Sequence, residues 1–223
     1  MNESIFFLHL FFVLGFLWIA LKRGKETLYL FVVLQVVFAN LFLVKQMRLF
    51  GWDVTCSDVY AVGALLGLNC IREIYGAKKA QTAISLSFLA LLFFLCMSKV
   101  HLFYLPNCFD TTHDAFSKIF SSTARIVLAS LSVFYLVQKF DAWLYGFLKK
   151  HKENLFFLRM NGSLLCSQFL DTVAFTMLGL LGVVGSVVDV IFVSFAIKAV
   201  VIFLYGTFLP FLQPLIRRAD HDL

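Results

Sequence analysis

Two Gln-x-x-Asp pairs stand inside long apolar segments of this chain, Gln138-x-x-Asp141 and Gln168-x-x-Asp171. A three-residue spacing sets the amide and the carboxylate of each pair on one face of a helix. A carboxylate accepts two parallel hydrogen bonds from an N–H/NH₂ edge, and the amide beside it both donates and accepts. Such pairs suit a small planar purine-like solute, and they suit many polar amines equally well. The two segments run in opposite directions, so both pairs fall in the same half of a membrane and can face one cavity. Asp171 lies ten residues in from Asn161, and Lys198 lies eleven residues before Leu209 on the next segment. Ten residues of helix span about 15 Å. At nearly equal depth the two charges neutralise one another if they face. A charge at a bilayer centre costs about 2.5–3.5 kcal/mol. The pair is therefore either a structural ion pair or part of a substrate or coupling site, and the cost of intramembrane charge favours the second.

The other polar residues are weighed in the same way. Asp189 and Arg125 lie near the outer ends of their segments, Arg72 and Glu73 near an inner end, and Lys139 can snorkel inward. Interfacial anchoring stands beside any functional role for these five. Gln35, Asn40, Asn69, Ser130, Ser163 and Ser167 add uncharged polar groups. Each alone is explained by helix–helix hydrogen bonding, worth only about 0.6 kcal/mol on average. An enzyme would need a nucleophile–base set or a metal cluster at one depth. The histidines lie at or beyond segment ends, His9 excepted, and the cysteines are odd in number with no C-x-x-C pair. No catalytic residue, metal site or cofactor is expected. There is no G-x-x-x-x-G-K-[ST] motif, so energy for transport must come from a gradient or another protein.

These side chains need elements to hold them. Of 223 residues, 61% are hydrophobic and 14% charged. A soluble domain carries about 25% charged residues, and one this small could not hide the excess. Lipid is the solvent that fits. Unbroken apolar runs such as Ala83–Met97 exclude the alternation of barrel strands and leave helices. Seven segments are expected: Ile5–Leu21, Thr27–Val44, Asp58–Tyr75, Ala80–Val100, Arg125–Phe147, Asn161–Val184 and Val187–Leu209. The third is the weakest, with a clean apolar part only from Val59 to Leu68. With the N-terminus outside, eleven basic residues fall in inner loops, among them Lys22, Arg23, Lys25, Lys78 and Lys79. Four fall outside: Lys45, Arg48, Lys99 and Lys118. The positive-inside rule selects this orientation, with the C-terminus cytoplasmic. It also accounts for the net charge of +6 without nucleic acid as a partner.

The start, Met1-Asn2-Glu3-Ser4, lacks the basic region of a signal peptide and predicts a retained helix. The stretch from His101 to Ala124 is expected to be an outer connector, with a lid as the alternative. Gly63-x-x-x-Gly67 predicts close helix packing. The fold class is an all-α polytopic transmembrane helical bundle forming a single domain over 1–223.

Several of these residues carry a resemblance. Arg125-Ile126-x-x-Ala129-Ser130 followed by Gln138-x-x-Asp141 resembles the queuosine precursor transporter family, also called the vitamin uptake transporter family. So do Arg159-x-Asn161-x-Ser163 with Ser167-Gln168-x-x-Asp171-Thr172-x-x-Phe175, and Glu73-x-Tyr75-Gly76-x-Lys78-x-Ala80; Asn40 also fits. The resemblance covers roughly Leu28–Arg218. Residues 1–24 then form an extra N-terminal helix before a six-helix core over 28–218. The sequence departs from the family pattern at Asn69, where an acid is usual, and lacks a Phe-Pro step at the third helix.

The resemblance implies a fold similar to the substrate-binding components of energy-coupling-factor importers. It implies import of a 7-deazaguanine precursor of queuosine, or of queuine, across the cytoplasmic (inner) membrane. Asn40, Glu73, Gln138, Asp141, Gln168 and Asp171 would line the route, with Asp171 the main ligand carboxylate and Lys198 its counter-ion. Arg125 would serve as an outer gate or anchor. A binding component that needs a separate ATPase is the alternative, and an accessory membrane protein without a solute is a third. A homo-oligomer and a coupling subunit are the protein partners that such a carrier allows.

Overall fold

The computed structural model describes residues 1–121, 123–151, 156–200 and 202–203. The chain divides into two compact units, Met1–Leu128 and Ala129–Leu223. The boundary falls well past the step between the extra N-terminal helix and the expected core. The first helix is part of the first unit's packing.

That unit is built from α1 (Asn2–Arg23), α2 (Lys25–Phe42), a hairpin of β1 (Gln46–Leu49) and β2 (Trp52–Thr55), α3 (Asp58–Tyr75), α4 (Ala77–Phe103) and the short α5 (His113–Ser121). One glycine suffices to turn α1 into α2 and another to turn α3 into α4. Gly24 has φ 94 and Gly76 φ 83, values that a Cβ disfavours. Both turns lie at the same end of the unit and carry the clusters Lys22, Arg23, Lys25 and Lys78, Lys79. Lys22 also sets its ammonium 3.6 Å from the centre of the Trp18 ring, an arrangement suited to a membrane interface. The hairpin lies at the opposite end.

The weak third segment is a full helix, and its place in the bundle explains its composition. α3 packs against α1, α2 and α4, and Val59, Val62, Ala64, Cys70 and Ile71 are buried. Its neighbours carry the apolar surface instead. Four helical stretches among the described residues are long and apolar enough to cross a membrane: Asn2–Arg23, Lys25–Phe42, Ala77–Phe103 and His113–Val137. Phe7, Phe11, Phe16, Trp18, Phe88 and Phe93 are exposed on them. Exposed apolar surface on this scale fits lipid contact, not water.

Gly63 and Gly67 carry the α2–α3 contact, as their spacing predicts. A Cβ on Gly63 would lie 2.7 Å from Gln35 Oε1 and 2.8 Å from Val13 Cγ1, and one on Gly67 would lie 2.6 Å from Val32 Cγ2. The pairing of residue 63 with 35 and of 67 with 32 shows that the two helices run antiparallel.

Two elements were not legible in the sequence. The hairpin pairs Gln46 with Thr55 and Leu49 with Trp52. Its two-residue turn puts both Phe50 (φ 50) and Gly51 (φ 88) in the left-handed region, the geometry that suits hairpin twist. The Phe50 N–H donates to Glu3 Oε1 at 3.2 Å, and Asn2 Nδ2 donates to the Arg48 carbonyl at 2.9 Å. The start of α1 thus holds the hairpin. The second is α5, inside the stretch expected as a connector. Asp110 Oδ1 accepts from Thr112 N at 2.7 Å, Thr112 Oγ1 at 2.9 Å and His113 N at 3.1 Å, which caps the helix entry. Phe116 and Phe120 stack at 5.6 Å and meet His101 of α4 edge-on at 5.1 and 6.1 Å.

The second unit holds most of α6 (Thr123–His151), α7 (Phe156–Phe175), a π-helical turn (Thr176–Leu180) and a helix over 187–200, here α8. The expected C-terminal end of the last segment, from 204 to Leu209, lies outside the described residues.

Two outcomes test this packing. Gly67→Ala should destabilise the purified protein by roughly 1–3 kcal/mol through overpacking, whereas Gly15→Ala, with nothing within 4 Å of its Cβ position, should not; thermal unfolding in detergent compares them. The hydrogen bonds from Thr112 and His113 hold the Asp110 carboxyl below its ordinary value of 3.8. Its stabilisation is therefore complete above about pH 3.8 and lost as pH falls through the lower folded value. Hydrogen exchange over 113–121 should accelerate in that acid window, and at neutral pH in Asp110→Ala.

Candidate functional site

α7 and α8 form a helical hairpin within the second unit. Gly182, with φ 80, lies in the turn between them. Ser186 starts α8: its hydroxyl accepts from the Asp189 N–H at 3.3 Å and its carbonyl from the Val190 N–H at 3.3 Å. Phe169 and Phe195 meet edge-to-face at 5.1 Å across the two helices. This packing brings the residues one turn further along into register.

There Lys198 Nζ donates to Asp171 Oδ2 at 2.8 Å and to Thr172 Oγ1 at 3.1 Å. The Thr172 hydroxyl in turn donates to the Gln168 carbonyl at 2.8 Å. The sequence expectation of two charges at one depth is met by direct contact. The Asp171 and Lys198 side chains are 27% and 12% exposed, so the pair is reachable and still largely removed from solvent. An ammonium has three N–H donors and a carboxylate has two acceptor oxygens. The contacts with Lys198 engage two donors and one carboxylate oxygen, and among the described residues no hydrogen bond to Asp171 Oδ1 is seen.

The surroundings are polar on one side only. Ser167, Thr172, Thr176 and Ser194 are buried, at 1%, 3%, 1% and 6% exposed. Ser167 lies one turn before Asp171, and Ser194 one turn before Lys198. The π-helical turn begins at Thr176, immediately after this stripe. Such single turns widen a helix and recur at functional sites. Gly179 makes room inside it: a Cβ there would stand 3.2 Å from the Phe175 ring and 3.4 Å from Ala129 Cβ.

The remaining expected residues are placed as follows. Asn40 is buried at 7% exposed near the hairpin end of α2, and its amide nitrogen donates to the Val36 carbonyl at 2.9 Å. Among the described residues, the buried oxygens of Asn40 and Gln35 have no hydrogen-bond partner. Glu73 is exposed near the C-terminal end of α3. Because α2 and α3 are antiparallel, Asn40 and Glu73 lie at opposite ends of that pair. Arg125 is exposed in the first turn of α6. Gln138 and Asp141 lie on α6, with their side chains outside the described residues. Gln168 is half-buried and contributes its backbone carbonyl to the Lys198 network. Thr172 entered the sequence reading only as part of the family motif and Ser194 not at all, although each stands beside a charge that did carry weight: Thr172 follows Asp171, and Ser194 precedes Lys198 by one helical turn.

Comparison with known proteins agrees with this architecture. Residues 59–212 match the family model described as "Putative vitamin uptake transporter". The chain is 31% identical over 162 residues to a protein of Bacillus subtilis (strain 168) named "Probable queuosine precursor transporter", covering 72% of this chain and 71% of that protein. No solved structure matches the chain significantly. The match begins at the first turn of α3 and continues through the helices that carry Asp171 and Lys198. This chain belongs to the vitamin uptake transporter family of integral membrane proteins.

Proposed function

We propose that this protein imports a queuosine precursor, a 7-deazaguanine base or queuine, across the cytoplasmic membrane, and that Asp171 is the carboxylate that binds it. The observation that carries this reading is the Lys198–Asp171 contact at 2.8 Å, set between α7 and α8, with a carboxylate oxygen left over among the described contacts. Lys198 supplies the counter-charge to Asp171, and the carboxylate can accept from the N–H edge of a purine-like base. Gln168 lies three residues before Asp171 on the same face, and Gln138 and Asp141 offer the same pair from α6. Asn40 and Glu73 are further candidate residues of the route, and Arg125 a candidate outer gate or anchor. The Gly24 and Gly76 turns, with their lysines and arginines, face the cytoplasm, and the hairpin end faces out.

Cells that cannot synthesise the base, fed each precursor at low concentration, supply the test. Queuosine should accumulate in their tRNA only when this gene is present, and the effective precursor names the substrate. Loss of a charge-assisted hydrogen bond removes about 1.5–3 kcal/mol, so Asp171→Asn should lower uptake at least tenfold without lowering the amount of protein in the membrane. Uptake equal to wild type would refute the assignment of Asp171. The exchange Asp171→Lys with Lys198→Asp separates the two roles of the pair. A purely structural pair tolerates the exchange in both stability and uptake. The ligand role predicts near-normal thermal stability with uptake lost, because the carboxylate then projects from the wrong helix. A double-mutant cycle with Asp171→Asn and Lys198→Met should give a coupling of roughly 1–3 kcal/mol in unfolding experiments.

A further inference from the structure

The first unit contains a cavity of about 330 Å³ at its hairpin end, enclosed by the start of α1, the end of α2, the hairpin and the first turn of α3. Nearly all of its lining lies before residue 59, outside the segment that matches the family model. Its size falls at the small end of ligand pockets, roughly 300–1,000 Å³, and suits a single heterocycle.

The wall is aromatic. Tyr60 stacks on Phe42 with ring centres 5.5 Å apart and an interplanar angle of 25°, and it meets His9 edge-on at 4.6 Å. Phe6 adds a further ring. Two opposite charges line the same cavity, Asp58 and Lys45. Both are felt at the half-buried thiol of Cys56, which also lines it: burial and the Asp58 charge push that thiol up, and the Lys45 charge pulls it down. Asp58 is the first residue of α3, where the helix dipole stabilises an anion. Asp58 is only 6% exposed. Thr55, whose hydroxyl lies 2.7 Å from that of Ser57, completes a polar rim.

We infer that this cavity is a second ligand site, one that takes a planar heterocycle bearing an N–H donor edge beside a carbonyl. The rings of Tyr60 and Phe42 offer a flat apolar wall, the Asp58 carboxylate accepts from the N–H edge, and the Lys45 ammonium donates to the carbonyl. The choice of heterocycle rests on the transport reading above.

Cys56 supplies a local readout in the full-length protein in detergent, with 7-deazaguanine as the probe. Maleimide alkylation is followed residue by residue by mass spectrometry, with exposed Cys108, outside the helices, as the internal reference. Saturating probe should slow alkylation of Cys56 at least fivefold and leave Cys108 unchanged. Asp58→Asn and Tyr60→Leu should each abolish the protection, whereas Asp171→Asn should keep it. Unchanged Cys56 labelling in wild-type protein that imports the probe overturns this site and leaves the transport reading intact. So does protection that vanishes with Asp171→Asn and survives both Asp58→Asn and Tyr60→Leu. Protection of Cys56 in a protein that imports no precursor supports the site and refutes the transport reading instead.

Discussion

A membrane interior offers no water to solvate a backbone amide or a side-chain charge, and the architecture of this chain follows from that constraint. Helices satisfy their own backbone groups, so the described residues are almost wholly helical, and among them β structure is confined to the short hairpin at the end of the first unit. The connections that must turn tightly do so with single glycines, which keep the irregular backbone short. Charge obeys the same limit. Lysines and arginines gather at the Gly24 and Gly76 turns, and two charges within helices of the second unit, Asp171 and Lys198, meet at 2.8 Å.

The two units solve the packing problem differently. In the first, small residues bring backbones together. Gly63 and Gly67 leave room for Gln35 and Val32 of the neighbouring helix, so α3 can be enclosed although it is the least apolar of the long helices in that unit. In the second, the α7–α8 hairpin is aligned by Phe169 against Phe195, and its polar stripe is held by the Lys198–Asp171–Thr172 network. The π-helical turn follows that stripe at once, so irregular backbone and intramembrane charge occur together. Each is unfavourable in lipid when unsupported, and each is supported here by a neighbouring helix or by the turn's own side chains.

Function enters through what that support leaves over. Lys198 spends its contacts on Asp171 Oδ2 and Thr172, and one carboxylate oxygen remains as an acceptor of the kind a purine-like edge requires. The hairpin-end cavity gathers other parts: aromatic rings, a buried acid at the start of α3 and a lysine. It lies almost entirely in the segment that precedes the family match.

The sequence by itself determined the solvent, the secondary structure class, the helix positions to within a few residues and the charge bias between the two ends. Those properties depend on composition and on the 3.6-residue period, which are local. The Gly63–Gly67 contact and the Asp171–Lys198 depth match were also legible, because spacing along a helix is distance along its axis. Tertiary structure alone decided the rest. It made Thr172 part of the ion pair, put Asn40 and Glu73 at opposite ends of one helix pair, and folded residues 46–55 into a hairpin held by Asn2 and Glu3. It also gathered His9, Phe42, Asp58 and Tyr60 around one cavity. Each of these depends on which helix faces which and in what direction, and a residue's own neighbours in the chain carry no record of that.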